Sequence, residues 1–101
     1  MHEGHRARVK KRFLEEGLDH FSDIQALELL LFYAIPRADT NPIAHRLLDH
    51  FGSLSQVLEA SPEELKKISG VGESGALLLN LIPQMGRFYM TDRASTPGVL
   101  T

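Results

Sequence analysis

The chain has 101 residues, with 13 acidic against 11 basic side chains and a formal net charge of −2. That length supports one small domain and leaves no room for a second core, while the acidic balance argues against a general nucleic-acid coat. There is no cysteine, which excludes a disulfide framework and a cysteine-based zinc site and suits a reducing compartment.

The first predicted helix runs from about Glu3 to Glu16 and stops near Gly17. Arg6, Arg8, Lys10, Lys11 and Arg12 crowd it, whereas most acidic residues follow Glu15, so a basic head precedes a mildly acidic body. Such a row either tracks phosphates or is the solvated face of an amphipathic helix whose Val9 and Phe13 turn inward. Ser22 or Asp23 caps a second helix, in which Ile24, Leu27, Leu30, Leu31 and Ala34 recur at helical spacing. Leu29, Phe32 and Tyr33 fill its other sides, so it is expected to be the buried spine of the domain. Pro36 ends it, Pro36 to Asn41 reads as a turn, and Asn41-Pro42 starts a third helix with Ile43, Ala44, Leu47, Leu48 and Phe51 inward. Gly52-Ser53 closes that helix and caps a short fourth one carrying Leu54, Val57 and Leu58.

Ser61-Pro62-Glu63-Glu64 is a helix start on three counts: a hydroxyl N-cap, a proline where its missing N–H costs nothing, and a glutamate placed for a capping box. The stretch that follows is the most informative of the chain. Leu65, Ile68, Gly70, Val71, Gly72 and Ala76 stand in the order Leu-x-x-Ile-x-Gly-Val-Gly-x-x-x-Ala. Two glycines around one valine let the backbone take positive φ on either side of an apolar plug, and Ala76 is small where two helices must approach closely. The pattern reads as a helix-hairpin-helix. Its turn aims the amides of Gly70, Val71, Gly72 and Ser74 outward at the positive end of a helix dipole, where a phosphate fits. Glu73 stands beside that pocket, and its carboxylate repels phosphate.

The last helix is read from about Glu73 to Tyr89, with a kink or break at Pro83, which withholds an N–H from the carbonyl of Leu79. From Thr91 the polar, turn-rich tail reads as a linker, so residues 1–90 form the domain and 91–101 lead toward a further domain that this chain lacks. The fold class is therefore all-α: a small helical bundle, double helix-hairpin-helix-like, with a degenerate first hairpin. The charged N-terminus lacks the apolar run of a secretory signal, and the runs near Leu29 to Ile35 and Ala76 to Ile82 are too short to span a bilayer. A cytoplasmic protein without a membrane partner is expected.

The chain resembles the N-terminal domain of the RadC family of bacterial proteins, the UPF0758 family. The likeness is carried by Gly4-His5-Arg6, Phe13, Leu27-Glu28-Leu29-Leu30, Pro36-Arg37-x-Asp39, Pro42, Ala44, Leu48, Phe51-Gly52-Ser53-Leu54, Leu58-x-Ala60 and Leu65-x-x-Ile68-x-Gly70-Val71-Gly72. The resemblance implies a DNA-binding half that precedes a JAB/MPN metal-dependent domain, whose zinc ligands are a His-x-His with a distant aspartate and glutamate. No such constellation exists in this sequence, so no metal ligand, cofactor or catalytic residue is assigned to it. His2, His5, His20, His45 and His50 lie near an end, in a turn, or on different helix faces, and Ser22, Ser53 and Ser61 are placed as caps. Two function classes follow. One is sequence-independent DNA-backbone contact through Gly70, Val71, Gly72 and Ser74, assisted by Arg6, Arg8, Lys10 and Lys11. The other is an interaction domain that positions the JAB/MPN half.

Overall fold

In a computed structural model, which describes residues 2–97, the chain folds as six helices: α1 (His2–Glu16), α2 (Asp23–Ala34), α3 (Thr40–Phe51), α4 (Leu54–Glu59), α5 (Pro62–Lys66) and α6 (Gly72–Ser95). No strand occurs among the described residues, so the bundle is all-α as expected. Four starts are fixed by side chains of the anticipated kind. Ser22 and Ser61 complete capping boxes with Gln25 and Glu64, and Ser53 caps α4 through the amide of Gln56. The third helix departs from expectation, because Asp39 caps it by accepting from the Asn41 N–H and the helix begins at Thr40, not at Asn41-Pro42. An Asp two residues before a proline supplies the cap and leaves Pro42 within the first turn, where it withholds no needed donor.

The core forms where α2 and α3 cross and α4, α5 and α6 close over them. Leu27 and Leu31 of α2, Leu47 of α3, Val57 of α4, Leu65 of α5 and Leu79 of α6 are all without solvent exposure. Burying side chains of this size contributes about 1.5–3 kcal/mol each. The spine reading of α2 holds on that side, whereas Tyr33, expected to fill a remaining face, is 69% exposed. Phe13, expected inward, is also partly open. Both ring residues face a groove that no described element covers.

The helix α1 is fastened to α2 by its first turns. His5 Nε2 lies 3.3 Å from Oε2 of the buried Glu28, and its ring meets Phe32 edge-on. Arg6 donates to the carbonyls of Phe32 at 3.2 Å, Ile35 at 2.8 Å and Ala38, and its guanidinium covers the Phe32 ring. The C-terminal carbonyls of α2 lack intrahelical donors, so this one side chain satisfies orphan acceptors at the helix end and pins the turn beyond it.

Pro83 does not break the last helix. The helix runs without interruption to Ser95, five residues into the stretch read as linker. Leu79 and Ala76 are locked in the core on the N-terminal side of the proline. Beyond it Arg93 donates to the Tyr89 hydroxyl, and the Ser95 hydroxyl bonds back to the Thr91 carbonyl. Such packing and i,i+4 links offset the loss of one helical bond. The remainder of the linker reading, from Gly98 onward, lies outside the described residues.

Candidate nucleic-acid interface

The capping box at Ser61 starts α5, whose five residues end at Lys66 with Leu65 in the core. The chain then turns through Lys67 to Val71. Ile68 is 9% exposed and Val71 2% exposed, so the turn is nailed down by apolar side chains on its inner side. Both glycines of the pattern take positive φ, +93° at Gly70 and +67° at Gly72, as the sequence requires of them. A methyl group on Gly70 would lie 2.9 Å from two carbons of Ile43, whereas one on Gly72 would meet nothing. The first glycine therefore serves close packing as well as backbone conformation. Arg46 of α3 donates through Nε and Nη2 to the Ser69 carbonyl, at 3.1 and 2.9 Å, and ties the turn to the body of the domain.

Among the described starts of α2 to α6, only that of α6 lacks a side-chain cap; Val71 takes the N-cap position in a helical conformation. The first N–H groups of an α-helix have no intrahelical acceptor. Here they belong to Gly72, Glu73 and Ser74, all exposed, at the head of a 24-residue helix. One amide named from the sequence is spent: Val71 N–H donates to the Ile68 carbonyl at 3.2 Å. The available set is Gly72, Glu73 and Ser74.

These residues form one wall of a cavity of about 430 Å³, and the α2–α3 turn, with Pro36, Arg37 and Ala38, forms the other. Arg37 is exposed there and brings a cation to the amides. Sequence reading placed Arg37 only in a turn, because its approach to Gly72 depends on the packing of α2 against α6. The basic residues of the head are distributed differently. Arg6 is consumed by carbonyls, one of them the Ala38 carbonyl at the cavity wall. Lys10 lies 5.2 Å over the Tyr33 ring and Arg12 caps the His20 carbonyl and covers Phe21. Arg8 and Lys11 are exposed on α1. Among the described residues no group of three or more His, Cys, Asp or Glu is placed to hold a metal ion, and no described helix is long and apolar enough to cross a membrane.

Residues 2–77 match the model of a family described as UPF0758 N-terminal. The chain is 43% identical over 90 residues to a UPF0758 protein of Fusobacterium nucleatum subsp. nucleatum, which covers 89% of this chain and 39% of that relative. It is 45% identical over 93 residues to a UPF0758 protein of Rhodobacter capsulatus, covering 92% and 44%. The chain thus spans less than half the length of these curated relatives. No solved structure matches it significantly.

Proposed function

We propose that this chain, which belongs to the UPF0758 family by its N-terminal domain, is a helix-hairpin-helix module that holds the phosphate backbone of DNA without reading sequence. The observation that carries the reading is the uncapped head of α6 between two positive-φ turns. Unsatisfied amides at the positive end of a helix dipole accept an anion, and Arg37 across the cavity adds charge. Backbone amides contact phosphates and not base edges, so binding is weak and sequence-independent. The module binds and does not catalyse. Arg8 and Lys11 extend the positive field from α1, whereas Arg6 acts by holding the α2–α3 turn in place.

Glu73 opposes this role and supplies its test. Labelled duplex and branched DNA are titrated at low and moderate salt with the wild-type chain, Glu73→Lys, and a control lysine at exposed Glu59 on α4. Glu73→Lys should tighten binding beyond the control and steepen the salt dependence by about one counterion. Equal effects at the two positions, or no salt-dependent binding by any variant, reject phosphate contact at this turn and leave the interaction-domain reading.

A further inference from the structure

The rear face of α6 carries a ridge at every fourth residue: Glu73, Leu77, Leu81, Met85, Tyr89 and Arg93, all exposed. Residues four apart on a helix form one continuous ridge. Leu77 is 65% exposed, Met85 56% and Tyr89 57%, with Phe88 beside them at 77%. Exposed apolar side chains in this number form more than the scattered hydrophobes of an ordinary surface.

We infer that this ridge pairs with the same ridge of a second copy of the chain, antiparallel, about a two-fold axis at the level of Pro83. The order of residues carries the choice of occupant. One end is acidic, the middle apolar and the other end basic, so an antiparallel copy meets it with complementary chemistry. That axis sets Leu81 opposite Met85, Leu77 opposite Tyr89, and Glu73 opposite Arg93. A parallel copy would set like charge against like. The Arg93 guanidinium already leans along the ridge on the Tyr89 hydroxyl, at 3.0 Å. Beside Leu77 and Leu81 a cavity of about 320 Å³, walled by Pro62 and Lys66 of α5, receives the second copy's Tyr89.

Area supports a stable contact. The exposed apolar side chains of the ridge and Phe88 offer on the order of 600 Å² per copy, and the groove walls add to this, against about 800 Å² per partner in a standard interface. Isologous pairing of one patch with itself closes at two copies. The dimer stands without the phosphate reading. Where that reading holds, the dimer sets a guanidinium beside the carboxylate that otherwise repels phosphate.

Sedimentation equilibrium of the 101-residue chain without nucleic acid, across micromolar to submillimolar concentrations, tests the pairing. The wild type should sediment as a dimer. Met85→Lys should sediment as a monomer with an unchanged helical circular dichroism spectrum, since the position is exposed in the single copy. Arg93→Glu should weaken association by about tenfold or more, and Glu73→Arg combined with Arg93→Glu should restore it, because the reversal returns opposite charges to facing positions. A wild type that is monomeric throughout overturns the proposal and leaves the ridge to a different occupant. A dimer untouched by Met85→Lys, or a charge reversal without recovery, overturns it equally.

Discussion

Adding one methyl group at Gly70 or at Gly72 separates two demands that the sequence pattern merges. At Gly72 the φ of +67° lies in the left-handed well, and the new carbon meets nothing within 4 Å. The cost is conformational, about 1–2 kcal/mol for an L-residue, and a stiffer unfolded chain returns part of it. At Gly70 the φ of +93° lies outside that well. The added carbon would also lie 2.9 Å from Cγ1 and Cδ1 of Ile43 and 3.1 Å from the Arg46 guanidinium. Ile43 is 2% exposed and cannot swing away, so overpacking adds about 1–3 kcal/mol. Thermal unfolding followed by far-ultraviolet circular dichroism should place Gly72→Ala about 5 °C below the wild type and Gly70→Ala about 10–20 °C below it, at about 4–8 °C per kcal/mol for a domain of this size. Ile43→Val removes one of the two clashing carbons. It normally costs about 0.5–1.5 kcal/mol, and in the Gly70→Ala background it should cost less than alone. Equal losses for the two alanines, or additive behaviour of the Ile43 pair, would refute the close-packing role of Gly70.

Val71→Asp buries a carboxylate where an apolar plug sits at 2% exposure, and it should abolish the cooperative unfolding transition in urea. A retained transition with the wild-type midpoint would sink the packing claim. Arg6→Ala removes three carbonyl contacts and the Phe32 stacking, so chemical denaturation should register a loss of about 2 kcal/mol, against under about 0.5 kcal/mol for exposed Arg8→Ala. Ser61→Ala removes the α5 capping box and should cost about 1 kcal/mol by the same measurement.

The helix starts at Ser22, Ser53 and Ser61 and both positive-φ glycines were legible because each depends on partners within four residues. Local rules reach that far. Arg6 looked like a free cation, since the carbonyls it serves lie 26 to 32 residues away and no sequence period links them. The same holds for Arg37, which joins the Gly72 amides only through the packing of α2 on α6. Glu28 stood in an apolar run, and its burial against His5 becomes visible only once α1 is laid across α2. The expected break at Pro83 failed for the opposite reason: a local penalty of about 3 kcal/mol met a tertiary anchor at Leu79 that outweighs it.

That continuity has a consequence for how the last helix comes to exist. Twelve residues after Pro83, all exposed on the surface, form a segment too short to be helical by itself in water, because nucleating the first turn is the unfavourable step. The packed half of α6 takes that step, and the projecting half only propagates from it. Its helicity is therefore on loan from the core, and two glycines inserted after Pro83 would melt it without loosening a single contact among Leu27, Leu47 and Leu79.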